Sequence, residues 1–258
     1  MKKRYAIISD IHGNIEGLNA ILDDIKTKDV EDVFCLGDVI GLGTNSKECI
    51  DKILELNIKT ILGNHELYLL RGTDIEPSIV GEEKEHHKWV KDSLTDKEID
   101  FIKTFPLYYE INIDYNERIP SKKILLCHYL IKDEKLSQPF EENYLKKDIN
   151  LWIKYNIPNI IYVIGHIHES FNINEVDGIS GDYIEKIDEL TNIEVVDSAG
   201  CTHDEYVSYM ILEIAKSIKF ERVKVKFDRA SFIDKLNKTN FPDKKNIMKY
   251  FYGIDIEK

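Results

Sequence analysis

Positive charge is what this chain has little of. Against 47 acidic side chains it sets 35 lysines and arginines, a formal net charge of −12 over 258 residues. Only five of the basic residues are arginine: Arg4, Arg71, Arg118, Arg222 and Arg229. Stable, sequence-blind binding to long nucleic acid needs a basic face, and this composition argues against it. Small anionic substrates stay open, because bound divalent cations reverse a local field. Cysteine is sparse too. Cys35, Cys49, Cys127 and Cys201 lie far apart and form no CxxC pair, so reduced, buried thiols are expected rather than a disulfide framework. No apolar run approaches the roughly 20 residues of a membrane-spanning helix. Met1-Lys2-Lys3-Arg4 looks like the start of a signal peptide, but only about five apolar or small residues follow before Asp10, too few for an h-region. The expected location is the cytoplasm, without membrane partners. Internal repeats and low-complexity linkers are also missing, and one domain over residues 1–258 is expected.

What is present is a soluble-globular composition, 43% hydrophobic and 32% charged, arranged in β-α units. Residues 5–9 read as a buried strand that runs straight into Asp10 and His12. Gly13 then permits a tight turn into a helix over 15–27, with Asn14 as its cap. A second strand over 32–36 ends at Gly37-Asp38, followed by a helix over 46–56. A third strand over 58–62 ends in Gly63-Asn64-His65-Glu66. Metal-ligand or hydrogen-bonding residues just past three successive strands lie where open α/β sheets place their chemistry, at the carboxyl edge.

Residues of about 67–105 change character and read as a helical cap inserted beside the site. It contains a charged helix over 82–93 and a second helix opened by the capping box Thr95-Asp96-Lys97-Glu98. His86 and His87 sit among lysines and glutamates there and read as a solvated helix face. Strands follow over 107–113 and 123–127, the latter ending at His128. A helix over about 141–155 comes next. The apolar strand over 160–164 then ends in Gly165-His166-Ile167-His168. The texture is mainly β from 171 to 227, closing in a hairpin of 206–214 with 218–227. Terminal helices are expected over about 230–252, a possible surface for a homo-oligomer.

The strand-end set is therefore Asp10, His12, Asp38, Asn64, His65, His128, His166 and His168, holding five of the eight histidines. Mixed imidazole and carboxylate donors suit Mn, Fe, Zn, Co or Ni better than calcium. The set exceeds the needs of one ion, whereas two ions sharing a carboxylate would use nearly all of it. Two ions roughly 3.5–4 Å apart clamp a phosphoryl group and activate water. The plainer alternatives are one structural metal or scattered polar turns.

These blocks, in this order, resemble the calcineurin-like metallophosphoesterases: Asp10-Ile11-His12, Gly37-Asp38, Gly63-Asn64-His65-Glu66, His128 and Gly165-His166-Ile167-His168. Gly37 through Gly43, and Ala199-Gly200 followed by Val207 through Glu213, look closest to a compact prokaryotic phosphodiesterase-like branch. The resemblance implies an α/β (α+β) fold, a four-layer α-β-β-α sandwich with a small helical insertion. It implies two divalent ions, manganese first among Mn, Fe, Ni, Co and Zn. One ion is assigned to Asp10, His12, Asp38 and His168, the other to Asp38, Asn64, His128 and His166, with Asp38 bridging. It also implies that His65 contacts phosphate and assists the leaving group, with Asn64 beside it. Asn14, Tyr129 and His203 are weaker candidates for substrate contact.

The match departs from related phosphatases where Gly41, Leu42 and Gly43 replace an Asp-Arg-Gly. It departs again where Tyr129 follows His128 in place of glycine, and where Cys201-Thr202-His203 stands for a loop carrying arginine. Cys127 and Cys201 read as small buried packing residues near the site. His203 reads as a surface turn. The expected activity is phosphoester hydrolysis by a metal-bridging hydroxide, with phosphodiesters preferred and a small phosphate ester as substrate. The alternatives are a phosphomonoesterase, a pyrophosphatase of nucleotides or dinucleoside polyphosphates, and a scaffold that has lost its chemistry.

Overall fold

β1 (Lys3–Ile8) is apolar on both faces because it lies at the centre of a sheet covered on both sides. Its side chains alternate between two cores. Tyr5 and Ile7 point into one, Ala6 and Ile8 into the other. The computed structural model describes residues 2–113, 122–129, 160–168 and 193–256. Within them, β1 pairs in parallel with β2 (Asp32–Cys35), which pairs in parallel with β3 (Lys59–Thr60). On its other side β1 meets the antiparallel hairpin of β8 (Tyr206–Ile214) and β9 (Ile218–Lys226). The third strand is shorter than the sequence pattern predicts, two paired residues instead of five. The chain leaves the ladder early, and Leu62 N instead donates to Pro106 O at 2.8 Å.

A second sheet has the order β4 (Tyr108–Ile113), β5 (Lys122–Cys127), β6 (Ile160–Ile164), β7 (Ile193–Val195), with the last three parallel. The two sheets pack face to face through Ile7, Phe34, Leu36, Met210 and Leu212 from one and Ile124, Leu126, Ile161 and Val163 from the other. On the outer face of the first sheet lie α1 (Ile15–Ile25) and α2 (Ser46–Glu55). They are joined there by the C-terminal helices α6 (Arg229–Lys238) and α7 (Lys244–Tyr252). The result is a mixed α/β sandwich of two mixed sheets. The expected helix over about 141–155, which would complete the fourth layer, lies outside the described residues, as does the strand texture of 171–192.

Between β3 and β4 the chain forms α3 (Asn64–Arg71), a short 3-10 turn (Thr73–Ile75), α4 (Gly81–Asp92) and α5 (Asp96–Ile102). Glu98 accepts from Thr95 N at 2.8 Å, which starts α5 where the capping box predicts. α4 corrects the expectation for its histidines. His86 is buried, stacks on Trp89 and reaches Pro242 O at 3.1 Å. His86 and Val90 are both buried and one helical turn apart, so they mark the inner face of a helix rich in lysine and glutamate.

Candidate metal centre

Because β1, β2 and β3 are parallel, as are β5, β6 and β7, the carboxyl ends of six strands meet along one edge of the sandwich. The loops there are laced together. Asp10 N donates to Gly37 O, His12 N to Asp38 O, Gly165 N to His128 O and Ala199 N to Ser9 O, at 2.8–3.1 Å. Gly165 permits the close approach of the two sheets, since a Cβ there would stand 1.9 Å from Ser9 Oγ. Asp10, His12, Asp38, His166 and His168 all take left-handed backbone conformations, with φ between 48° and 69°. Non-glycine residues adopt this region at a cost, and such strain gathers at functional sites where the surroundings impose it.

The side chains converge. Asp38 Oδ2 lies 3.2 Å from His128 Nε2 and 3.7 Å from His12 Nε2. Its other oxygen accepts the His65 amide at 2.9 Å. Asp10 Oδ1 is 3.4 Å from His168 Nε2 and 3.8 Å from His12 Nε2, while Ser9 Oγ and His166 N donate to its Oδ2. Asn64 Oδ1 stands 2.9 Å from His128 Nε2, and His166 joins Asp38 and His128 in a tight donor group. Asp38 thus faces two groups of donors at once: Asp10, His12 and His168 on one side, Asn64, His128 and His166 on the other.

The ring nitrogens turned away from this centre are tied down. His128 Nδ1 donates to Leu36 O at 2.7 Å and His12 Nδ1 to Ile40 O at 3.2 Å. Metal-binding histidines are fixed in this way, through a backbone carbonyl that sets the tautomer and frees the other nitrogen's lone pair. The freed Nε2 of His12 then lies 3.0 Å from His168 Nε2, a close approach that a shared cation relieves. Electrostatics agree. Burial alone would raise the Asp10 and Asp38 carboxyls, but the flanking imidazoles outweigh it and hold both well below the usual range. Burial in turn pushes the imidazoles of His12 and His166 down to about 4. His128 goes the other way, to about 9, because Asp38 and Asp10 overcome its burial. His168 is raised too, its burial outweighed by the neighbouring Cys201 and Asp10. Two buried carboxylates therefore hold protons on two of the imidazoles, positive charge whose place divalent cations would take. The residues present fit divalent metal.

Glu66 is essential to this geometry, and the sequence reading gave it no role. Its carboxylate accepts from Asp38 N (2.8 Å), Gly63 N (2.9 Å), Val39 N (2.9 Å) and Ile40 N (3.2 Å), tying the Asp38 loop to the start of α3. Burial and the Asp38 charge raise this carboxyl, and the N–H donors work against that rise. Glu66→Gln turns an amide NH2 toward two of those donors. It should weaken metal binding by about 10–100-fold, the usual cost of a lost outer-sphere partner, as read by chelator competition.

His65 packs edge-on against His12, with ring centroids 4.7 Å apart, and its buried Nδ1 has no hydrogen-bond partner. Gly41 leaves the space it occupies: φ is +101° there, and a Cβ would stand 2.2 Å from His65 Nδ1. A cavity of about 500 Å³ opens above His12, Asp38, Asn64, His65, His166 and His168. The helical insertion and α7 wall it with Tyr68, His87, Glu76, Glu83, Asp243 and Phe251, and no lysine or arginine is among its described lining residues. His87 lies 5.0 Å from the His65 ring and 5.1 Å from Tyr68.

The weaker substrate-contact candidates fall elsewhere. Asn14 spends its amide inside the fold, accepting from Gly17 N at 2.8 Å and donating to Gly200 O at 2.9 Å, so it has no free group for a ligand. Tyr129 packs edge-on against His128 and His166. His203 is exposed and bonds Tyr250 O at 3.0 Å, outside the donor cluster. Lys132, four positions beyond His128, lies outside the described residues.

Two facing sheets that deliver their strand-end donors to one buried point make this an α/β protein built around a metal-binding centre. It belongs to the calcineurin-like phosphoesterase family, whose model matches residues 3–196. Over 257 residues the chain is 29% identical to an uncharacterized protein of Methanocaldococcus jannaschii, covering 94% of this chain and 96% of that one. A stretch of 67 residues is 37% identical to the symmetrical bis(5'-nucleosyl)-tetraphosphatase of Actinobacillus pleuropneumoniae serotype 5b, covering 25% of each. The solved metallophosphoesterase of Sphaerobacter thermophilus matches with a TM-score of 0.60 and 20% identity over 93% of this chain and 95% of that one, a likeness of fold.

Proposed function

We propose that this chain is a dinuclear metal-dependent phosphodiesterase acting in the cytoplasm on a small phosphate diester. The observation that carries it is the position of Asp38 Oδ2, 3.2 Å from His128 Nε2 and 3.7 Å from His12 Nε2, as a carboxylate shared by two ions would be. Asp10, His12, Asp38 and His168 would hold one ion, and Asp38, Asn64, His128 and His166 the other. Bound there, the pair supplies Lewis-acid polarisation of the phosphoryl oxygens and a nucleophilic water at neutral pH. The protein's own residues do the rest. Asn64 and His65 face the cavity and orient the phosphoryl group. His65, placed by Gly41 and by the hydrogen bond its backbone N–H donates to Asp38 Oδ1, holds its ring where a leaving oxygen takes up a proton. The cap helix and α7 restrict water around the bound ester.

The preference for diesters follows from charge. Enzymes that favour monoesters, which bring close to two negative charges, draw on arginine forks beside the metals. Here Arg4 pairs with Glu213, Arg222 with Glu194, and Arg229 donates to Tyr252 O, all away from the cavity. Arg71 ends α3 exposed to solvent, and Arg118 lies outside the described residues. Besides Asp38, three carboxylates, Glu76, Glu83 and Asp243, line the cavity, which also weighs against a polyphosphate such as a dinucleoside tetraphosphate. With manganese, kcat/KM for bis-nitrophenyl phosphate should exceed that for nitrophenyl phosphate at the same pH. A tenfold advantage for the monoester, about 1.4 kcal/mol of transition-state binding, or for diadenosine tetraphosphate, would overturn the assignment.

A further inference from the structure

A sulfur atom lies beside the first group of metal donors. His12, His168 and Cys201 bring their ligand atoms within 4.8 Å of one another. Cys201 is 8% exposed and is tied to the site's own backbone: Ser198 Oγ accepts the Cys201 amide at 2.7 Å and donates to Asp10 O at 2.7 Å. A second observation is independent of the histidines. Tyr252 is fully buried, and its hydroxyl lies against the Cys201 thiol with no other hydrogen-bond partner. Cys201 belongs to the apolar core that includes Ala199 and Val207, and its sulfur stands at the edge of that core, toward the His12 and His168 imidazoles and the Tyr252 phenol.

We propose that Cys201 is a thiolate ligand of the ion held by Asp10, His12 and His168, and that this sulfur makes the position select zinc, iron or cobalt over manganese. The proposal rests on the two-ion assignment above. Metal–nitrogen bonds of about 2.0–2.1 Å and metal–sulfur bonds of about 2.3 Å place neighbouring donors about 3.5 Å apart. The His12 and His168 Nε2 atoms are already 3.0 Å apart and the sulfur lies within 4.8 Å of the histidine donors, so small side-chain movements bring all three to bonding distance. As the sulfur–metal bond forms, the thiol proton passes to solvent. The Tyr252 hydroxyl then donates to the bound sulfur, the kind of outer-sphere contact that tunes a ligand. Thiolate favours the softer ions, while manganese favours oxygen donors. The same pocket thus holds one ion with a sulfur donor and one without.

Cobalt(II) reports both features without reference to activity. The protein is titrated with cobalt and followed by absorption, with metal content measured in parallel. Wild type should show visible d–d bands together with an intense near-ultraviolet sulfur-to-cobalt charge-transfer band. Cys201→Ser should keep the d–d bands and the cobalt content and lose the charge-transfer band. Its preference for zinc over manganese at that position should fall by about tenfold or more. Wild-type d–d bands without the charge-transfer band, or a charge-transfer band that persists in Cys201→Ser, would overturn the sulfur assignment and leave the two-ion centre standing. Failure of cobalt to bind at all would overturn both. The wild-type spectrum alone decides the matter if the variant does not fold.

Discussion

Asp38→Asn is expected to strip the purified protein of most of its metal and to lower diester hydrolysis by a factor on the order of 10³. Asp38 Oδ2 faces both donor groups and lies closer to His128 Nε2 (3.2 Å) than Asp10 Oδ1 does (4.0 Å), so on the proposed assignment its loss affects two ions. Each bound ion is asked for several kcal/mol of transition-state stabilisation, and about 4 kcal/mol corresponds to a thousandfold change in rate. Asn64→Ala removes a single neutral donor and should leave one ion in place. Elemental analysis of the two variants beside wild type separates the cases. Asp38→Asn that still retains two ions per chain, or that loses less metal than Asn64→Ala, would show that the two donor groups do not share Asp38.

His65→Gln should slow the hydrolysis of alkyl diesters by about 10²–10⁴-fold, while nitrophenyl esters lose far less. The ring has the geometry of a proton donor. Its amide is anchored on Asp38 Oδ1 at 2.9 Å, it packs against His12, and its Nδ1 is buried without a partner. Burial drives its pKa well below the usual value, with Asp38 only partly opposing the fall. An anionic phosphoryl group brought beside the ring reverses that balance, because a neighbouring negative charge favours the protonated imidazole. A nitrophenolate leaves readily without a proton, whereas an alkoxide does not, so the leaving-group contrast isolates proton donation. Equal losses on both ester types with metal retained would assign His65 to phosphate positioning, and loss of metal would make it a ligand.

The parts of the fold that the sequence made legible are those where periodicity and punctuation coincide. β1 and β2 are short apolar runs that end abruptly at Asp10 and at Gly37-Asp38, and their helices carry an apolar stripe that the structure packs on the sheet. The β8–β9 hairpin and the capping box at Thr95 were readable for the same reason: their signals lie within a few residues. The candidate ligands were found because each follows a strand directly, and parallel pairing carries all such positions to one edge. What stayed hidden depends on long-range contact. Glu66 binds amides 26–28 residues away at Asp38, Val39 and Ile40, and nothing local distinguishes it from an ordinary helix-start acid. His86 appeared solvated among lysines and glutamates, and its burial comes from Trp89 and from Phe241, some 155 residues further along. α7 and the Asp243 that precedes it line the cavity through Asp243, Ile247 and Phe251, a role that no pattern within the helix encodes. The shortness of β3 was equally unreadable, since its apolar residues continue past the point where Leu62 turns to Pro106.

Crystals grown with saturating cobalt and measured at its anomalous-scattering wavelength test the two-ion centre most directly. The expected map holds two peaks roughly 3.5–4 Å apart, one within bonding distance of Asp10, His12 and His168, the other of Asn64, His128 and His166, with Asp38 between them. A single peak, or two that do not share Asp38, would contradict it.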